Sequence, residues 1–212
     1  MTGLGRRSFV LAGLALPLVA CATPEQNRPN ATLAEAAAAA YRHPGPSELT
    51  LYTMISNRSG SGAHTSLLIN APSQRVIFDP AGSVGLSAMP EIDDVRYGIT
   101  PQIRDYYERA HARSTYHVRI QTVAVPESTA ELALRLVQAN GKVAPAACAS
   151  ATSAILARLP GFEQIRRVAF PNKLADQFAT LPGVTERKLF ENDADDKTLA
   201  EAAAEARLAQ SQ

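Results

Sequence analysis

Three strand-like runs sit almost end to end in the chain: ELTLYTMIS from Glu48, AHTSLLIN from Ala63 and RVIFD from Arg75, separated only by the turn-rich NRSGSG and APSQ. Runs of β-branched and aromatic residues with such short connections predict an antiparallel meander, so a sheet is the expected centre of the fold. A later run, STYHVRIQTVAV from Ser114, alternates apolar and polar residues and predicts another strand. Helices are predicted between and after these strands. Thr100-Pro101 offers an N-cap and a first-turn proline for QIRDYYERAHA, and Ser128 with Glu131 reads as a capping box opening ELALRLVQANG. APAACASATSAILARLPG has helical spacing through Ala151, Ile155 and Leu159 and stops at Pro160-Gly161. PNKLADQFATLPG predicts a further helix and TERKLFE a further strand. The expected class is α+β, a small antiparallel sheet packed against helices.

The first residues, MTGLGRRSFVLAGLALPLVAC, read as a basic start, an apolar run and small residues before a cysteine, the order of an export signal. The apolar run is short of the roughly 20 residues needed to span a bilayer. Leu18-Val19-Ala20-Cys21 resembles the lipobox of bacterial lipoproteins, which implies cleavage before Cys21 and acylation of its thiol. Arg6-Arg7 followed by Ser8-Phe9 resembles the twin-arginine export signal. Ala22 is not the aspartate associated with inner-membrane retention, so the expected location is the periplasmic face of the envelope, lipid-anchored at the outer membrane.

Removing the first 20 of 212 residues leaves 192, enough for one domain with its own core. The expected organisation is a signal peptide over 1–20, a lipid-anchored tether over 21–47, a folded domain over 48–192 and an acidic, Ala-rich tail over 193–212. The tether is rich in proline and contains one short helix, TLAEAAAAAYR, with Thr32 and Glu35 as its capping box. A net charge of +1 with interleaved signs leaves no electrostatic footprint for nucleic acid.

Cysteine usage narrows the chemistry. The chain has two cysteines, Cys21 and Cys148, and with the first lipidated no internal disulfide is available. Cys148 falls near the start of a predicted helix, where unpaired N–H groups and the dipole favour thiolate over a thiol that otherwise titrates at about 8.5. The same N–H groups suit a developing oxyanion. The plain alternative is a small apolar residue packed among alanines.

A base is sought among four histidines. His43 lies in the tether, His111 ends a charged helix and is expected to be solvated, and His117 shares the polar phase of its strand with Arg119. His64 follows the flexible SGSGA and opens an apolar strand, where a ring is held firmly while its edge stays reachable, and it is the preferred general base. Asp79, ending the neighbouring strand, is the preferred orienting group, with Asp93 and Asp94 as substitutes.

A histidine opening a strand in GAHTSLLI, an acid ending the next in VIFDPAG and a cysteine starting a later helix in CASATSAIL resemble the circularly permuted papain-like cysteine hydrolases. That group includes bacterial envelope lipoproteins of the YaeF and YiiX kind and relatives of lecithin retinol acyltransferase. The resemblance covers roughly residues 48 to 160 and implies Cys148 as nucleophile, His64 as base and Asp79 as orienter. It also implies a helix-backed antiparallel sheet and acyl chemistry at amide or ester bonds. Ala146-Ala147 stand where many members have a polar residue before the cysteine.

No HExxH, paired CxxC or GxxxxGK[ST] occurs, so neither a metal nor a nucleotide cofactor is expected. Ser59 and Ser61 do not form GxSxG, and Gly60 and Gly62 read as turn residues that free the backbone near His64. The expected activity is a cofactor-independent thiol hydrolase or acyltransferase acting on a peptidoglycan peptide or a lipid acyl group. The alternative is a non-catalytic envelope lipoprotein that binds an envelope component or a protein partner through the same fold.

Overall fold

The computed structural model describes residues 29–210. The export signal with Arg6 and Arg7, and the lipidation site Cys21, lie outside the described residues. Among those described, no helix is long and apolar enough to cross a membrane.

The meander forms as the turns dictate. β1 (Glu48–Ser56), β2 (Gly62–Asn70) and β3 (Arg75–Phe78) pair in antiparallel order, and β6 (Tyr116–Ala124) takes the other side of β1. Two short strands, β4 (Glu91–Ile92) and β5 (Val95–Arg96), extend the β3 edge, and β7 (Thr185–Leu189) closes the opposite one. The sheet therefore has seven strands in the order β4-β5-β3-β2-β1-β6-β7, every pair antiparallel. β4 and β5 turn through Asp93 and Asp94, whose φ values of 47° and 65° are left-handed, a conformation Asp tolerates better than most side chains.

Both faces of the sheet are covered, so β1 is apolar in both phases. Leu49 and Leu51 join one cluster with residues of α3 (Glu127–Gln138), α4 (Cys148–Leu156) and α5 (Pro171–Phe178). Tyr52 and Met54 join the other, with residues of α2 (Pro101–His111) and the apolar side of α6 (Thr198–Gln210). Each fully buried leucine, such as Leu51 or Leu67, contributes about 1.5–3 kcal/mol. α1 (Leu33–Ala39) starts with the expected capping box, the Glu35 amide donating to the Thr32 hydroxyl and the Thr32 amide to the Glu35 carboxylate.

One helix start differs from expectation. α3 begins at Glu127 behind Pro126, with no side-chain cap, and Ser128 already lies inside the helix. The Glu131 carboxylate is engaged elsewhere, accepting from the Ser73 amide at 2.7 Å and hydroxyl at 3.0 Å. A tertiary contact to the β2–β3 turn has taken the group that a capping box would use.

Candidate active site

Each site residue is delivered by a different piece of local structure. His64 stands near the start of β2, opposite Met54 of β1, beside a register irregularity at Met54/Ile55. Asp79 follows β3 directly, and its own amide donates to the Asp94 carbonyl at 2.8 Å. Cys148 is the first residue of α4, where the N-cap Ala147 provides no side-chain hydrogen bond, so the first-turn amides are left for other partners. Ala146, just before it, is held at φ 64°, a strained conformation for a residue with a Cβ.

The structure brings these three residues together. Nε2 of His64 donates to Oδ1 of Asp79 at 2.7 Å, and because an ionised carboxylate only accepts, the proton resides on Nε2. That leaves Nδ1 for the Cys148 side. Arg96 of β5, not anticipated from the sequence, donates from Nε to Oδ2 of Asp79 at 2.9 Å and from Nη1 to Glu91 at 2.9 Å. Asp79 is fully buried, and both of its oxygens are occupied. Gly82 makes this possible: a Cβ there would lie 1.9 Å from Oδ2 of Asp79.

The electrostatics follow from these contacts. Burial opposes ionisation of Asp79, but the Arg96 charge and the bond from His64 outweigh it and hold the carboxyl well below its ordinary range. Burial also opposes charge on His64, yet hydrogen bonds to Asp79 and Cys148, with their negative charges, carry its pKa up to about 9. At Cys148 burial pushes the thiol up. The His64 bond and charge and the amides of Thr65 and Ala149 more than offset it, so the net direction is down. Opposite shifts of this kind favour a thiolate beside an imidazolium.

The remaining acids and histidines do other work. Asp94 accepts from the Val143 amide at 2.7 Å, tying the β4–β5 turn to the segment that leads into Cys148. Asp93 accepts from Asn30 at 2.8 Å. His117 pairs with Asn57 at 2.7 Å and stacks on Phe190, and His43 lines a pocket with Arg75 and residues of α2. His111 departs from expectation, because it is buried rather than solvated. Ile103, Tyr107 and His111 share one helical face at a spacing of four, a periodicity that would have placed His111 inside. Its Nδ1 donates to the Tyr107 carbonyl at 2.8 Å, and its ring lies nearly parallel to that of His64 with centroids 6.1 Å apart. Burial, then the nearby Lys197 charge, lower its pKa to about 3, so the ring is neutral with a lone pair on Nε2.

His64, Asp79 and His111 each present one ligand-type atom within 4.8 Å of the others, a spacing that could suit a cation. Arg96 sits directly on Asp79, and a guanidinium there repels a metal ion, so the group fits a hydrogen-bonded His64–Asp79 pair with His111 packed beside it better. His64, His111 and Cys148 line a cleft of about 510 Å3, within the range of small-molecule sites. The acidic, Ala-rich tail reaches this cleft: Asp195 and Lys197 line it, with Asp195 accepting from Thr115 at 2.7 Å and Lys197 donating to Ser83 at 3.1 Å.

Compared with family models, with curated proteins and with solved structures, the chain matches none.

Proposed function

We propose that this chain is a cofactor-independent thiol hydrolase or acyltransferase of the permuted papain-like kind, acting on an amide or ester of the cell envelope. The observation that carries the reading is the His64–Asp79 bond of 2.7 Å, set beside a Cys148 thiol of lowered pKa in an open cleft.

In this reading the Cys148 thiolate attacks the substrate carbonyl carbon, forming a C–S bond while the carbonyl electrons move to oxygen. First-turn amides of α4 stabilise that oxyanion. The intermediate collapses, the C–N or C–O bond breaks, and imidazolium His64 gives its Nδ1 proton to the leaving group. An incoming water, amine or alcohol then loses a proton to His64 and attacks the thioester, which expels the thiolate and restores the ion pair. Asp79, held by Arg96, keeps Nε2–H oriented throughout. A peptidoglycan peptide or a lipid acyl chain is the substrate class proposed, with the protein attached by lipid on Cys21 at the periplasmic face of the outer membrane.

The test is acylation by an activated ester, p-nitrophenyl acetate, followed by mass spectrometry. The expected result is a nitrophenolate burst of about one equivalent, with a single acetyl group on Cys148 that Cys148→Ala abolishes. Absence of a Cys148 adduct in the folded protein would overturn the reading.

A further inference from the structure

A second pocket, of about 250 Å3, opens away from the cleft, where β3 begins beneath the first turns of α2. It is lined by His43, Arg75, Pro101, Arg104, Asp105 and Glu108. Arg75 is 1% exposed, among the largest side chains fully inside the protein. Arginine is almost never buried without a partner, because an unpaired ion in a low-dielectric interior loses its hydration with nothing in return. Yet among the described residues no carboxylate pairs with Arg75, and its Nε has no hydrogen-bond partner. The Tyr41 ring centre lies 5.8 Å from its guanidinium carbon, near the outer reach of a cation–π contact.

The acids around the pocket are engaged by other cations. Glu108 accepts from Tyr52 and Arg104, each at 2.9 Å, and from Arg187. Asp105 pairs with Arg109 at 3.1 Å, and Glu48 with Arg104 at 3.6 Å. Arg109 also pairs with Glu191, so four guanidinium groups meet four carboxylates, yet each of these carboxylates pairs with an arginine other than Arg75. A second orphan lines the same pocket: Nδ1 of His43 is buried without a partner. Burial and the Arg75 charge both lower the His43 pKa, so this ring adds no cation of its own.

We infer that this pocket is a binding site for a small oxyanion, a phosphate or carboxylate group, seated against Arg75 with His43 as a further polar contact. The anion would pair with Arg75 and supply the hydrogen bond its Nε lacks, the roles a buried unsatisfied cation calls for. The inference shares no residue with the Cys148 cleft and stands or falls independently of the proposed activity.

The experiment is thermal unfolding of the full chain in Hepes at pH 7.5, with sodium phosphate compared against sodium chloride of equal ionic strength. The expected result is a saturable, phosphate-specific rise in Tm, roughly 5–10 °C at a hundredfold excess over the dissociation constant. Arg75→Met should lose that rise and, in chloride, melt no lower than the wild type, because an apolar chain has replaced a lone buried charge. Arg75→Gln provides a second variant with the same expected loss. Isothermal titration of the wild type should find one phosphate per chain, and sodium acetate in place of phosphate separates a phosphate site from a carboxylate one. Wild-type protein that responds equally to phosphate, acetate and chloride, meaning that water alone satisfies Arg75, would overturn the inference. So would a phosphate response that survives in either Arg75 variant.

Discussion

His64 and Asp79 stand 15 residues apart in the chain and are joined, Nε2 to Oδ1, by a hydrogen bond of 2.7 Å. The bond spans the β2–β3 hairpin, so the rigidity of two paired strands fixes the orientation of the imidazole. Everything else at the site is arranged around this pair: Arg96 neutralises Asp79 from behind, His111 stacks on the ring, and Cys148 meets it from α4.

Arg96 should matter more to folding than its distance from the cleft suggests. Arg96→Met leaves Asp79 ionised and fully buried with only a histidine to balance it. Removing one partner of such a pair typically costs about 3–5 kcal/mol. Urea unfolding at pH 7.5 should show a loss of that size, and a variant as stable as the wild type would mean that Asp79 is not held by Arg96.

Gly82 is expected to be intolerant of the smallest side chain. A methyl group there would overlap the Asp79 carboxylate, so Gly82→Ala must move either the loop or the acid. Overpacking of this kind costs about 1–3 kcal/mol. Since the three atoms nearest that methyl all belong to Asp79, a fall in Cys148 reactivity toward iodoacetamide in this variant would report the displaced Asp79. Unchanged reactivity and stability would show that the Asp79 position is unimportant.

His111 makes the protein sensitive to acid. Its folded pKa is depressed to about 3, below the ordinary histidine value. Its stabilising contribution is therefore complete above about pH 6.5 and is lost as pH falls toward 3, where the unfolded chain gains a proton that the folded chain refuses. Each tenfold difference in proton affinity corresponds to about 1.4 kcal/mol. His111→Phe should flatten the decline in stability between pH 6.5 and 4, measured by urea unfolding at several pH values. An identical decline in both proteins would contradict the buried, neutral ring.

The meander and the helix bearing Cys148 were legible because their signals are local, alternating apolar runs, short turns and helical spacing, although the helix stops at Leu156, before the Pro160-Gly161 stop and the expected Leu159. His64 and Asp79 stood out for the same reason, each at a strand end beside a turn. Arg96 did not, because β4 and β5 are two residues long and exist through pairing with β3 and a left-handed Asp93-Asp94 turn. His111 was hidden by the charged residues that surround it in sequence, of which Glu108 and Arg113 are themselves buried. The approach of Asp195 and Lys197 to the cleft depends on the path of the chain after β7, which no local pattern encodes.

The central claim is that Cys148 and His64 form an ion pair, and the pH dependence of Cys148 alkylation by iodoacetamide tests it most directly. Cys148 has a lowered pKa and His64 one raised to about 9, so thiolate and imidazolium should coexist between the two. The wild-type rate should rise through a midpoint below about 8.5, the value of an ordinary thiol, and change again near pH 9 as His64 loses its proton. His64→Ala should move the midpoint to about 8.5 or above, with Asp79→Asn between the two. A slow wild-type reaction with a midpoint at or above that of a free thiol, unmoved by His64→Ala, would make Cys148 a packing residue and contradict the proposed chemistry.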